Sequence, residues 1–205
     1  TSSNGSIVSW SPDGQWIAFE SIQNGSGEIW IIPAVGGKAQ GITDDPAVDQ
    51  YPSWSPDGTQ IAFTSNRSGN ADVWVVPASG GEASQVTTHP ATDAAPNWSP
   101  DGEWLAFQSS RGGSLDIWVV PASGGEAVQV TDVQGFAVVG RWSPDGRRIS
   151  FNGGPVVGEL FVMPASGGVP ARPRPDRDSR PHPGAPAPCR DRRGRVKHPL
   201  RRPSE

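Results

Sequence analysis

The chain has 205 residues, 34% hydrophobic and 19% charged, with a formal net charge of −4. That length allows one domain with a sizeable core. It contains no apolar run long enough for a transmembrane helix, and a single cysteine, Cys189, excludes a disulfide framework. The net charge is a sum of unlike parts, −11 over residues 1–170 and +7 over residues 171–205. An acidic first part argues against nucleic acid as its partner.

In chain order, the first landmark is Trp10-Ser-Pro-Asp-Gly14. It returns at Trp54–Gly58, Trp98–Gly102 and Trp142–Gly146, each time after 44 residues. A period of ~40–45 residues is the length of one four-stranded propeller blade. Ser-Pro-Asp-Gly predicts a β-turn, because proline presets φ at the second position and glycine takes the fourth. A strand is predicted at Trp16–Glu20, another at Glu28–Ile32 and a third at Lys38–Thr43, after the Gly36-Gly37 turn. A fourth leaves from Tyr51-Pro-Ser53 into the next tryptophan. Runs such as Ile61-Ala-Phe63 and Val73-Trp-Val-Val76 are apolar on both faces, which suits a sheet packed between two neighbouring sheets. The fourth copy is one residue short and carries Glu159-Leu-Phe-Val-Met-Pro164.

The predicted fold is therefore all-β, a β-propeller of four-stranded antiparallel blades. Four blades are present, at about 5–48, 49–92, 93–136 and 137–170, the fourth incomplete. The arc is expected to be open, or a fragment of a larger propeller. An open arc exposes an apolar blade face at each end, so self-association and poor monomer stability are expected. The tryptophans Trp10, Trp54, Trp98 and Trp142 before the turns, and Trp30, Trp74 and Trp118 in the third strands, are read as wedges between blades.

Residues 171–205 are rich in proline and arginine, hold no aromatic residue and read as a disordered tail. A basic arm, a plain extension and an out-of-frame translation are the readings, the last preferred. The chain starts without Met or a signal peptide and reads as an excised piece.

Chemistry is sparse. No Gly-x-Ser-x-Gly elbow occurs, and the three histidines form no triad with a nucleophile. Zinc spacing is absent, and Asp44, Asp45, Asp49 and Asp93 are a weak calcium signal. No catalytic residue, cofactor or metal ligand is assigned. Asp13, Asp57, Asp101 and Asp145 read as turn residues that bond their own backbone. Glu28, Asp72, Asp116 and Glu159 precede the third strand in every blade and read as structural. Arg67 and Arg111 sit in equivalent loops, better as staples than as carboxylate clamps. Function is sought where the copies differ. Tyr51, His89, Asp93, Phe136 and Arg141 break the repeat with aromatic or charged character and are the candidate partner-facing residues, on or beside the strand that should line a central channel.

The Trp-Ser-Pro-Asp-Gly unit, followed by Ile-Ala-Phe, Asp-Ile-Trp-Val-Val-Pro-Ala-Ser-Gly-Gly-Glu-Ala and a closing Val-Thr, resembles the β-propeller repeats of TolB-like proteins over residues 5–170. The resemblance implies a periplasmic or extracellular, non-catalytic propeller that holds a protein or peptide partner, as TolB does with the Tol–Pal envelope system. It implies neither nucleic-acid binding nor membrane insertion. TolB has six blades preceded by an α/β domain, and this chain departs from it with four blades and no such domain. Similar repeats occur in propellers of prolyl-oligopeptidase-like serine peptidases, tricorn-type proteases and receptor-like Ser/Thr kinases. A peptidase propeller and a kinase sensor domain are thus the alternative readings.

Overall fold

The computed structural model describes residues 8–23, 25–133, 135–154 and 159–167. All of them fall in one compact unit, Thr1–Pro173; the predicted tail lies outside the described residues. There are 15 strands and, among the described residues, no helix.

The first sheet holds β1 (Val8–Trp10), β2 (Trp16–Gln23), β3 (Ser26–Pro33) and β4 (Gln40–Gly41), in that order. The second holds β5 (Asp49–Trp54), β6 (Gln60–Ser65), β7 (Asp72–Pro77) and β8 (Ser84–Gln85). The third repeats this with β9 (Asp93–Trp98), β10 (Trp104–Ser109), β11 (Asp116–Pro121) and β12 (Val128–Gln129). The fourth has three described strands, β13 (Phe136–Trp142), β14 (Arg148–Gly154) and β15 (Leu160–Pro164). All neighbours are antiparallel, as the short turns between them require. This is a partial, open propeller of four blades.

The pentapeptide builds the turn between the first two strands of each sheet. The Gly14 N–H donates to the Ser11 carbonyl at 2.9 Å, and Gly14 sits at φ 69°, a conformation that glycine reaches without Cβ strain. The Ser11 hydroxyl donates to Asp13 at 2.5 Å and accepts the Trp16 N–H at 2.9 Å, while Asp13 accepts the Gln15 N–H at 3.0 Å. The same set recurs around Asp57, Asp101 and Asp145. In all four, the serine hydroxyl bond holds the carboxyl below its ordinary value near 3.8, and a backbone N–H adds to the effect.

The outer strand is shorter than the sequence predicts, two residues at Gln40–Gly41 rather than six at 38–43. The ladder ends because Ile42 and Thr43 both donate to the Ile29 carbonyl, at 2.8 and 3.3 Å, which bends the chain away. Thr43 then replaces the ladder with its side chain. Its hydroxyl accepts the Ile29 N–H at 3.0 Å and donates to Glu28 at 2.7 Å. Thr87 with Asp72, and Thr131 with Asp116, do the same in the next two sheets. The acid near the start of each of these third strands is thus the latch of the outer strand.

Sheets pack in sequence, each with a leading face toward the preceding blade and a trailing face toward the next. Ala18, Ile29 and Ile31 of the first sheet meet Ile61, Phe63 and Val76 of the second. Ala62, Val73 and Val75 then meet Leu105, Phe107 and Val120. Ala106, Ile117 and Val119 meet Ile149, Phe151 and Met163. The enclosed ring in each junction is phenylalanine, Phe63, Phe107 or Phe151, all buried. Tryptophan shares these junctions: Trp54 belongs to the first cluster, Trp74 packs against it, Trp98 and Trp118 pack against the second, and Trp142 against the third. Trp30, Trp74, Trp98, Trp118 and Trp142 are half-buried, only Trp54 is buried, and Trp10 is 56% exposed because no described blade precedes it. The indole N–H groups of Trp30, Trp54, Trp74 and Trp118 are themselves buried without a hydrogen-bond partner, so avoidance of an unpaired N–H does not set which ring is enclosed.

Replacing Asp101 by alanine should lower Tm by a few degrees at neutral pH. The folded carboxyl is held low, so its contribution is present above the unfolded value near 3.8 and is lost as pH falls through the folded one. The Tm difference between wild type and variant should therefore narrow in acid, which a calorimetric pH series reads directly.

Candidate functional site

The first strands β1, β5, β9 and β13 lie side by side and form the inner edge of the arc. Each of β5, β9 and β13 breaks register with its partner, at Gln50/Ser53, Ala106/Gln108 and Val138/Arg141. Such bulges re-aim side chains at an edge. At two of them the residue before proline is left-handed, Tyr51 at φ 56° and Ala95 at φ 55°. That region is costly for any residue with a Cβ. The Ala95 N–H donates to Thr64 of the preceding blade at 3.0 Å, and so holds the bulge in place. In the fourth blade the equivalent bulge carries Gly140, where an added Cβ would stand 3.2 Å from Ile117 and Ile149 methyls.

Blade is tied to blade along this edge. The indole N–H of Trp98 donates to the Ser53 carbonyl at 3.1 Å, and that of Trp142 to the Asn97 carbonyl at 3.2 Å. Arg141 donates to the Asn97 side chain at 2.8 Å.

The candidate residues divide. Tyr51 and Phe136 are half-buried and Arg141 is exposed, on β5 and β13. His89 lies off the edge, in the loop after β8. Its Nδ1 accepts the Ala91 N–H at 3.0 Å, its carbonyl accepts an Asn70 N–H at 3.0 Å, and its ring helps line a cavity of about 410 Å³ with Arg111 and Trp118. Asp93 is a correction. It is completely buried and ion-paired with Arg111, so its carboxylate meets no partner.

That pair does not break the repeat, because Asp49 and Arg67 form it too, at 2.8 Å. Each guanidinium also stacks on two rings, Arg67 on Phe63 and Trp74, Arg111 on Phe107 and Trp118. Burial raises both carboxyls above the ordinary range, against the pull of nearby hydroxyls and the guanidinium. The loop-staple reading of the arginines accounts for this geometry. Asp49 is thereby committed to a cation already in the chain. Asp45, another calcium candidate, accepts the Ala47 N–H at 2.9 Å. Among the described residues, no group of three or more metal-ligating side chains converges. The pairing was legible in the sequence, since the first blade has Gly5 and Gln23, and the fourth Ala137 and Pro155, where Asp and Arg stand in the second and third. Both partners are missing together.

Residues 26–114 and 72–153 match the family described as the tricorn protease N-terminal β-propeller domain, and the two matches together span more than half of the chain. The chain belongs to this family. Among solved structures, the tricorn-type propeller is similar to TolB from Agrobacterium tumefaciens, with a TM-score of 0.72 and 26% identity over 80% of this chain and 62% of that one. It is similar to TolB from Acinetobacter baumannii, with a TM-score of 0.71 and 25% identity over 82% of this chain and 43% of that one. A puromycin hydrolase at 16% identity and TM-score 0.63, covered over 29% of its length, shares the fold. No curated protein matches the sequence. The chain is a TolB-like propeller that spans less than two thirds of the TolB structures it matches.

Two substitutions test the edge. Arg111→Leu should cost about 3–5 kcal/mol at neutral pH, because Asp93 is left charged in the interior. Asp93→Ala combined with Arg111→Leu, which removes both members of the pair as in the fourth blade, should recover most of it in urea unfolding. The loss in Arg111→Leu should also shrink in acid, since a raised folded pKa means that the folded chain takes up the proton before the unfolded one. Separately, Ala95→Gly should raise stability by about 0.5–1 kcal/mol by relieving the left-handed strain.

Proposed function

We propose that this chain is a non-catalytic scaffold that holds a protein or peptide on the inner edge of its arc, within a bacterial cell envelope. One observation carries the reading. Equivalent positions of the first strands share a backbone course while their side chains diverge, Tyr51 against Ala95, and Ser53 against Asn97 and Arg141. A common frame with variable, partly exposed aromatic and cationic groups is what recognition of a partner requires. The buried carboxylates of the sheets, by contrast, bond to threonine or arginine and serve the fold. The likeness to TolB supports the envelope location and a periplasmic or extracellular site of action.

A second reading is favoured by the family itself, whose description names a protease. In it, the arc is the accessory propeller of a longer peptidase and gates or positions a peptide for a catalytic domain elsewhere. Both readings place a polypeptide against the same edge.

A photo-crosslinking side chain introduced at Tyr51 or at Arg141 should capture one defined protein in the envelope of the source cell, whereas the same group at Asp57, on an outward turn, should not. Equal capture from all three positions, or from none, counts against the edge as the binding surface. Hydrolysis of peptide substrates by the purified chain, blocked by a serine-directed reagent, would remove the non-catalytic reading.

A further inference from the structure

Two junctions hold a cleft at the end of the sheets where the Ser-Pro-Asp-Gly turns lie. The cleft between the first and second blades measures about 440 Å³, and Asp13, Trp16, Trp54 and Asp57 are among its lining residues. The cleft between the third and fourth blades measures about 330 Å³ and has Asp101, Trp104 and Trp142 at equivalent places. Each lies between two described blades, so its walls are set inside the chain. Both volumes fall within the ~300–1,000 Å³ of small-molecule sites.

The cleft between the first and second blades joins aromatic surface to negative charge. Trp16, half-buried at the start of β2, and Trp54, at the end of β5, supply the indoles. Asp13 and Asp57 supply exposed carboxylates, which the hydroxyl bonds from Ser11 and Ser55 keep ionised at neutral pH. The bonds that Asp13 accepts, from Ser11 and Gln15, go to Oδ1, and its Oδ2 is left for another donor. No lysine, arginine or histidine lines this cleft. The other junctions lack the combination. Gln60 stands in the second blade where the first has Trp16, so the second and third blades meet without this indole. The cleft between the third and fourth blades has one aspartate, and the turn residue Gly146 that lines it is followed by Arg147 and Arg148.

Elsewhere the chain itself shows what two rings and a carboxylate hold. Arg67 lies over Phe63 and Trp74 and pairs with Asp49, and Arg111 lies over Phe107 and Trp118 and pairs with Asp93. The turn-end cleft of the first two blades repeats that setting without the guanidinium. We propose that this cleft is a binding site for a small guanidinium compound of the arginine type. The planar cation stacks on the Trp16 indole and donates to Oδ2 of Asp13, with the Asp57 charge alongside. A guanidinium suits the place better than an ammonium, because its flat face packs on a ring while its edge forks to a carboxylate. The site is independent of the scaffold reading, since it uses neither Tyr51 nor Arg141 and takes a small molecule rather than a polypeptide.

The test is a titration of the full chain with argininamide, followed through the indole N–H resonances. The Trp16 signal is the one that Trp16→Gln removes, a change that puts in the residue the second blade already has. Argininamide should shift that signal saturably, with a dissociation constant of about 1 mM or below. Citrullinamide, of the same shape but uncharged, should not. Trp16→Gln should weaken binding about tenfold in calorimetry, and Asp13→Asn, which keeps Oδ1 as the acceptor of the turn, several-fold. Trp104→Gln should leave it unchanged. Absence of saturation below about 10 mM overturns the proposal. So does equal binding of citrullinamide, or affinity that survives in both Trp16→Gln and Asp13→Asn. Lysinamide bound as tightly as argininamide overturns it as well, since general attraction to an acidic chain would then suffice.

Discussion

The second and third sheets of this chain are largely apolar on both faces, and no face of that kind is stable in water. The consequence is serial: a blade needs a neighbour on either side, and the neighbour needs another. Three junctions meet that need with alanine, isoleucine and valine on one side and phenylalanine, leucine or isoleucine on the other. The hydrophobic effect supplies the drive, since burial of such faces scales with the area removed from water. What distinguishes a terminal blade is only that one of its faces has no described partner. The half-exposure of Phe19 and Leu160 is the direct mark of this.

Polar chemistry inside the arc is subordinate to the same stacking. An acid near the start of the third strand bonds the threonine that follows the outer strand, and the threonine takes the N–H that the ladder leaves free. The Asp–Arg staple of the second and third blades places its guanidinium over two rings, so the charge is neutralised and its flat face is packed. The first and fourth blades lack both residues, as expected if half of a buried pair is worse than none. With these groups committed, the side chains that differ on the inner edge are left for recognition.

Much of this was legible along the chain. The 44-residue period, the Ser-Pro-Asp-Gly turn and the two-sided apolar strands are local signals, and they led to the correct architecture. Other features were misjudged for a physical reason. Indole size suggested that tryptophan fills the gaps, yet Phe63 and Phe107 are the fully enclosed rings, while Trp74, Trp98 and Trp118 pack half-buried against the same junctions. Asp93 looked exceptional when compared by sequence frame alone; its bond to Arg111, eighteen residues on, showed it to be a second copy of the Asp49–Arg67 pair. The short outer strand was hidden because a threonine hydroxyl, not the backbone, completes it.

By itself, the order of residues determined the repeat, the turns and the antiparallel blade, since each depends on neighbours a few positions apart. Tertiary structure decided which aromatic ring is enclosed, which carboxylate is spoken for, and that Tyr51 and Ala95 share a strained backbone while presenting different groups. These outcomes depend on distances across a junction between blades, and a linear pattern carries no record of how close two stacked sheets come.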